Sequence, residues 1–177
     1  MSIVPTNINY NSTILRQNLN SLVRTFPFLN VQSVGLSVLK KNIYVIKLGK
    51  GTKKVFYSAS IHANEWITSV VLMKFVEDYA NAYVQNGKLY NYSVRDLFNN
   101  VSIFIMPMVN PDGVDLVTGN ILPSSSAYNQ AKSIANYYPD IPFPSGRNAY
   151  IRGVDLNLQY PARMGTSYRN NISSRFY

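Results

Sequence analysis

The chain has 177 residues, of which 46% are hydrophobic and only 14% are charged. This composition is typical of a globular domain and excludes a disordered polymer. Cysteine is absent, so a disulfide framework and a thiolate metal site are both excluded, and any transition metal must be held by histidine and carboxylate.

The net charge of +9 comes from lysines and arginines that are scattered along the chain. A basic surface that aids solubility is the first interpretation, and an anionic wall polymer as partner is the second. Residues 1–11 form a polar, Asn-rich lead with neither a basic nor an apolar signal region, which predicts a cytoplasmic start. No apolar run approaches the length of a membrane span, so we expect no membrane partner. The basic residues form no dense stripe, so we expect no nucleic-acid partner.

Apolar spacing predicts a first helix over residues 12–25, with Ser12 as its N-cap and Pro27 as its stop. Two β-like runs follow within residues 31–47. Residues 55–61, VFYSASI, are mostly apolar, which predicts a short strand that is fully buried in a parallel or mixed sheet.

The second half of the chain alternates helical and extended patterns. We expect helices over residues 65–84 and 93–99, a buried strand over 101–107, a helix over 124–136, and a long irregular loop over 137–148. Loops of this length in compact domains are usually functional. The order of strands and helices predicts an α/β fold with a mixed sheet and flanking helices.

His62 and Glu65 lie where the strand predicted over 55–61 is followed by a helix, and His62 is the one histidine of the sequence. Three interpretations compete. His62 could be a hydrogen-bonded rim residue with Glu65 merely favouring the helix dipole. The pair could be two zinc ligands, since imidazole and carboxylate both suit Zn²⁺. His62 could also be a general base oriented by Glu65, although no nucleophile is marked.

Three motifs occur together: SIHANEWIT (60–68), MVNPDG (108–113) and RGVDLNLQYPA (152–162). In this order and at these separations they resemble the zinc carboxypeptidase (M14, carboxypeptidase A-like) family over about residues 30–165. The nearest likeness is to the bacterial branch that cleaves γ-D-glutamyl–diamino acid bonds in cell-wall peptides. The resemblance implies a single peptidase-like domain over 1–177, with the N-terminal portion of a carboxypeptidase-like fold, and Zn²⁺ as the cofactor.

The resemblance also implies roles for individual residues. His62 and Glu65 match two of the three metal ligands, and Asp155 matches an aspartate that hydrogen-bonds the first histidine and fixes its tautomer. Asn157 matches an asparagine that helps to hold substrate. Leu158 stands where classical members place an arginine that grips a terminal carboxylate, which favours cleavage of an internal or γ-linked bond over C-terminal trimming.

Further positions follow from what the chemistry needs. An electrophile must steady the oxyanion, and Arg152 is the preferred catalytic candidate, while Arg147 is a candidate substrate-binding residue. A surface cation is the alternative for each. Residues 110–113, NPDG, predict a tight turn with a structural role, which by resemblance forms the floor beside the metal.

Two parts of the family's machinery have no match, because no histidine follows His62 and no glutamate follows Glu77. The chain is therefore expected to correspond to the N-terminal half to two-thirds of such an enzyme, with the C-terminal part missing or carried by a separate chain. A zinc peptidase acting on peptides or muropeptides, weak or inactive alone, is the first hypothesis. A non-catalytic module that binds cell-wall peptides is the alternative.

Overall fold

The fold is built on a four-stranded mixed sheet, and the structure, a computed structural model, describes residues 2–159. The strands are β1 (Asn30–Leu36), β2 (Asn42–Leu48), β3 (Lys53–Ser58), β4 (Lys88–Leu89), β5 (Tyr92–Ser93) and β6 (Val101–Met106). The helices are α1 (Ser12–Thr25), α2 (Ile67–Val84), α3 (Val94–Asn100), α4 (Pro111–Val117) and α5 (Ser126–Ala135), with 3-10 turns at Ala63–Glu65 and Leu156–Leu158.

The main sheet has the strand order β1-β2-β6-β3. β1 pairs antiparallel with β2, β2 pairs antiparallel with β6, and β6 pairs parallel with β3. In register, Ile46 lies opposite Ile105, and Phe56 lies opposite Phe104. The α/β class with a mixed sheet is confirmed, and the helices predicted over 65–84, 93–99 and 124–136 correspond to α2, α3 and α5.

The prediction of a fully buried strand at 55–61 is wrong. β3 ends at Ser58, and the side chains of Phe56 and Tyr57 are 57% and 48% exposed. β3 is an edge strand among the described residues, whereas β6 has a neighbour on each side and buries Ile103 and Ile105. Apolar composition alone does not distinguish these two positions in a sheet.

The first helix has the predicted bounds, but its N-cap lies one residue earlier than predicted. The side chain of Asn11, not Ser12, caps α1 by accepting a hydrogen bond from the Ile14 backbone N–H at 3.0 Å. The Ser12 hydroxyl instead donates to Asp115 on α4 at 2.6 Å. The helix ends at Thr25, before Pro27, as predicted.

The polar lead packs into the fold. Val4 and Tyr10 are buried, and the backbone N–H groups of Ile3 and Val4 donate to the carboxylate of Glu77 on α2. This buried carboxylate therefore fastens the first residues of the chain to a central helix.

Two hydrophobic clusters support the elements. The larger joins α1, the sheet and α2, and its members include Leu15, Leu19, Leu22, Ile46, Leu48, Met73, Val76 and Ile105. The smaller joins α4, α5 and the segment before the last 3-10 turn, through Leu116, Ile121, Ala131 and Ile151. Of the helices in residues 2–159, none combines the length and apolar character that a membrane span requires.

Residues 110–113 form the start of a helix, where the sequence predicted a tight turn. Asn110 caps α4 by accepting a hydrogen bond from the Gly113 backbone N–H at 2.9 Å, and Pro111 occupies the first helical position. Proline is favoured there because its missing N–H has no partner within a helix in any case. The same residues that make turns also start helices, so the motif did not decide between the two.

Candidate active site

Backbone hydrogen bonds to the end of β6 and to the residues after it fix the segment before His62. The Ala59 N–H donates to the Met106 carbonyl, and the Ala59 and Ser60 carbonyls accept from Val109 and Asn110. Ser60 has a left-handed φ of +49° although it is not glycine, a conformation that costs free energy unless its surroundings enforce it.

The first turn of α2 enforces that conformation. The Ser60 backbone N–H donates to the Thr68 hydroxyl at 2.9 Å, and the Ser60 hydroxyl lies 2.6 Å from that of Ser69. All of this polar contact is buried or half-buried. The bend at Ser60 sends the chain back over α2, which brings Glu65 towards His62. Sequence reasoning missed this network, although the Thr68-Ser69 pair at a helix start was a visible signal.

α4 packs directly beneath the turn that carries His62. The Asn110 side-chain amide donates to the Ile61 carbonyl at 3.3 Å. A Cβ atom on Gly113 would lie 2.8 Å from the Cβ of Ala63, closer than side chains approach one another. Only glycine fits at 113, so the structural role predicted for residues 110–113 matches their position under this turn.

The irregular loop predicted over 137–148 holds the same turn from the other side. The Ala63 N–H donates to the Asn148 carbonyl at 2.9 Å, and the Asn64 N–H donates to the Arg147 carbonyl at 3.0 Å. The 3-10 turn Ala63–Glu65 is therefore clamped between α4 and this loop, and the Glu65 side chain starts from a fixed backbone.

Both nitrogens of His62 face carboxylates. Nδ1 lies 3.0 Å from Oε1 of Glu65, and Nε2 lies 3.3 Å from Oδ1 of Asp155. Glu65 is 53% exposed and Asp155 is 15% exposed. The structure thus brings together His62, Glu65 and Asp155, three of the residues singled out in the sequence. His62 and Asp155 are 93 positions apart.

Asp155 is positioned by its own local contacts. Its Oδ1 accepts a hydrogen bond from the Asn157 N–H at 2.8 Å, which caps the 3-10 turn Leu156–Leu158. Two residues earlier, Gly153 has φ +84° and would place a Cβ 2.9 Å from the Ile134 side chain on α5. The close approach to α5 sets the position from which Asp155 reaches the imidazole.

The environment of His62 favours its protonated form. Burial lowers the pKa of His62, but the hydrogen bonds and negative charges of Glu65 and Asp155 outweigh it, so the pKa lies above its ordinary value. A neutral imidazole carries one N–H and can satisfy only one of two ionised carboxylates, whereas imidazolium satisfies both. The site attracts positive charge between His62 and Glu65.

The other predicted site residues lie at different depths. The Arg147 guanidinium is fully buried, and its Nη2 donates to the carbonyls of Tyr150 and Ile151 at 2.9 and 3.2 Å. Its predicted substrate contact stays a prediction. Arg152 and Asn157 are both exposed beside Asp155, and their predicted catalytic and substrate-binding roles also stay predictions.

The donor set fits part of a zinc site. With ordinary Zn–N and Zn–O lengths and a tetrahedral angle, two ligand atoms lie about 3.4 Å apart. Nδ1 of His62 and Oε1 of Glu65, 3.0 Å apart, would need to separate by only a few tenths of an ångström. Within residues 2–159, no group of three or more His, Cys, Asp or Glu side chains is arranged to hold a metal, so these two supply an incomplete set.

Known proteins match this chain along nearly its whole length. The family model described as zinc carboxypeptidase, Peptidase M14, matches residues 15–175. The chain belongs to the M14 zinc carboxypeptidase family. It is 39% identical over 155 residues to gamma-D-glutamyl-L-diamino acid endopeptidase 1 of Lysinibacillus sphaericus. This alignment covers 88% of this chain and 38% of the relative.

The chain is also similar to other carboxypeptidases. Carboxypeptidase B of Astacus astacus is 36% identical over 99 residues, covering 54% of this chain and 30% of the relative. The crystal structure of a metallo-carboxypeptidase from Burkholderia cenocepacia superposes with a TM-score of 0.55 at 19% identity, over 86% of this chain and 33% of that one. The fold is therefore that of part of a zinc carboxypeptidase, and the chain spans less than half the length of the curated relatives it matches.

Proposed function

We propose that this M14 chain is the zinc-binding front portion of a metallopeptidase that acts on γ-D-glutamyl–diamino acid bonds of cell-wall peptides. His62 and Glu65 are two of its zinc ligands, and Asp155 positions the imidazole. Alone, the chain is a weak or inactive catalyst.

One observation carries the proposal: the single imidazole has a carboxylate at each nitrogen. Metal-bound histidines usually donate their second N–H to a carboxylate, which fixes the tautomer and raises the basicity of the ligating nitrogen. Asp155 fills that place at Nε2, which leaves Nδ1 and the exposed carboxylate of Glu65 as neighbours facing solvent. The family model supports zinc as the ion.

The chain's own residues would divide the work as follows. A bound zinc ion supplies a Lewis acid that polarises a carbonyl and acidifies water. His62 and Glu65 hold the ion, and Asp155 keeps the proton on Nε2 so that Nδ1 presents its lone pair. Asn157, in the 3-10 turn that Asp155 caps, and Arg152, in the preceding turn, are both exposed, and we assign them the contacts with the peptide.

The substrate class rests on two supports. The endopeptidase relative, which is named for γ-D-glutamyl–diamino acid bonds, shares 39% of its aligned residues with this chain. Leu158 has no charge to bind a free C-terminal carboxylate, the contact that arginine makes as a bidentate clamp. An internal or γ-linked bond needs no such clamp.

The limit on activity comes from what the sequence lacks. It has one histidine, and its last glutamate is Glu77, which is buried and bonded to residues 2–4. Loss of a general base lowers a rate by roughly 10²–10⁴-fold. We infer that a separate C-terminal segment of the kind the longer relatives carry would supply the remaining ligand and base.

Complementation tests this proposal. The purified chain is mixed with the part of the Lysinibacillus relative that lies beyond the matched region, and zinc content and hydrolysis of a γ-D-glutamyl–diaminopimelate peptide are measured. We expect one zinc per complex and activity that depends on both parts. Glu65→Gln should abolish both, while Asp140→Asn, which removes an exposed loop carboxylate, should change neither.

Two results would contradict it. Strong hydrolysis by the chain alone would remove the claim of inactivity. Failure of the mixture to bind zinc, with both parts folded and associated, would remove the assignment of His62 and Glu65.

The single histidine also supports one alternative, a non-catalytic module that binds cell-wall peptides. Such a module should bind muropeptide with the same affinity before and after treatment with a chelator. Binding that disappears with the metal would favour the peptidase.

A further inference from the structure

A cavity lies away from the residues of the candidate active site. This cavity, which we call the basic groove, has a volume of about 510 Å³ and is formed by the start of α1, the β1–β2 turn and residues 120–127. The side chains that matter for its chemistry are those of Arg16, Lys40, Lys41, Asn42, Tyr44 and Asn120. Its size is within the usual range for small-molecule sites.

The lining of the basic groove contains three cations, Arg16, Lys40 and Lys41, and one carboxylate, Asp115. All eight carboxylate side chains of the sequence lie within the described residues. Among residues 2–159, Lys41 pairs with Asp112 and Asp115, but neither Arg16 nor Lys40 has a carboxylate within ion-pair distance. Both are exposed at the edge of the groove. In a chain with net charge +9, two uncompensated cations at one cavity attract an anion.

The backbone at Lys40 is strained in a way that glycine would avoid. Lys40 has φ +62°, and its turn is fixed by hydrogen bonds from the Lys40 N–H to the Ser37 carbonyl at 3.0 Å and from the Ser37 N–H to the Lys41 carbonyl at 2.8 Å. Glycine takes this conformation freely, whereas lysine does not. A lysine at this position points to a use for its ammonium group, since strained residues collect at binding sites.

The rest of the lining suits a polyhydroxylated ligand. Asn42 and Asn120 are exposed amides, and Tyr44 is a half-buried ring beside Asn42. The Asn120 amide is held by Asp115 at 2.9 Å and by Thr13 at 3.3 Å, so its orientation is set before any ligand arrives. Amides bond hydroxyl groups, and an aromatic ring offers an apolar face to a sugar ring.

We propose that the basic groove is a binding site for a phosphorylated sugar, with Arg16 and Lys40 on the phosphate and the amides of Asn42 and Asn120 on the hydroxyls. This site is independent of zinc. Asn110, which supports the His62 turn, caps the N-terminus of α4, and Asp115, which borders the groove, lies five positions further along the same helix. The two sites therefore share a rigid helix, but occupancy of one does not require the other.

Calorimetric titration of the full chain tests the proposal, with N-acetylglucosamine 6-phosphate as the probe. Inorganic phosphate and neutral N-acetylglucosamine are the comparison ligands. We expect the sugar phosphate to bind more tightly than either comparison ligand. The double variant R16Q/K40G should weaken it about tenfold or more. Because K40G places glycine at a left-handed position, the fold should be retained.

The control variant R24Q/K88Q removes the same charge from exposed positions outside the groove and should leave binding unchanged. Equal weakening by the control would show a diffuse charge effect and overturn the site. Absence of saturable sugar-phosphate binding, or binding no tighter than that of inorganic phosphate, would also overturn it. Neither result bears on zinc binding at His62.

Discussion

The carboxylates of α4 and α2 differ from those around His62 in how fully their oxygens are used. Asp115 on α4 is fully buried and accepts hydrogen bonds from the Ser12 N–H, the Ser12 hydroxyl and Asn120, besides its ion pair with Lys41. Glu65 is half exposed, and His62 is the one partner of its carboxylate among the described residues. The carboxylate of Asp115 is therefore saturated, meaning that several groups of the protein bond its oxygens. The carboxylate of Glu65 is open, meaning that it is exposed and has one partner among the described residues.

This difference separates structural from functional carboxylates. A buried, saturated carboxylate cannot ligate a metal without breaking bonds that hold elements together, and leaving such partners unpaired is costly. An open carboxylate gives up only its bound water when it ligates a metal. Substitutions should therefore lower stability at the saturated positions and lower zinc binding at the open ones.

The largest loss of stability should follow Asp115→Asn. The substitution removes the charge that faces Lys41 and turns one acceptor oxygen into a donor beside Ser12, so the free energy of unfolding should fall by about 3 kcal/mol. Urea unfolding measures it. A loss below about 1 kcal/mol would contradict the view that this carboxylate ties α1, the β1–β2 turn and α4 together.

Glu77→Gln should come next, at about 2 kcal/mol, because Lys74 and the N–H groups of Ile3 and Val4 lose a charged acceptor. Burial raises the pKa of Glu77, but the hydrogen bond from Ile3, then those from Lys74 and Ser2, lower it more, so the pKa lies below its ordinary value.

The pH dependence follows from that direction. The stability due to Glu77 is present above its unfolded pKa and is lost as the pH falls through its lower folded value. The difference in unfolding free energy between the wild type and Glu77→Gln should therefore shrink in acid. A difference that stays constant from neutral pH into acid would contradict the lowered pKa.

Asp155→Asn should have a smaller effect on stability and a clear effect on metal. Asparagine caps a turn about as well as aspartate, so the cost should stay below about 1 kcal/mol and come mainly from the lost charge beside His62. Loss of the carboxylate behind the imidazole should weaken zinc binding by roughly 10–100-fold. Competition with a chromophoric chelator measures the affinity, and an unchanged value would remove Asp155 from the site.

Glu65→Gln should have the smallest effect on stability, below about 0.5 kcal/mol, because the side chain is half exposed. Zinc binding should nevertheless be lost. A stability loss as large as that of Asp115→Asn, with zinc binding retained, would reverse the comparison between the two regions.

Local patterns in the sequence predicted most elements. Apolar spacing located α1, α2 and α5, and the paired β-like runs became β1 and β2. The convergence of His62, Glu65 and Asp155 was predicted through the family's motifs. Spacing alone could not have joined residues that lie 93 positions apart.

What the sequence missed depends on long-range neighbours. Asn11 and Ser12 are both residue types that cap helices well. Ser12 does not act as the cap because its N–H and hydroxyl donate to Asp115 on α4, and Asn11 caps the helix instead. β3 and β6 look alike as apolar runs, but their exposure is set by their places in the sheet.

The most direct test uses the fact that the sequence holds one histidine, so that every imidazole ¹⁵N signal belongs to His62. Long-range ¹H–¹⁵N correlation spectra are recorded during zinc titration. The account predicts that the Nδ1 signal moves to the position of a metal-bound nitrogen, while Nε2 stays protonated and hydrogen-bonded to Asp155. Coordination through Nε2, or spectra that zinc leaves unchanged, would contradict it.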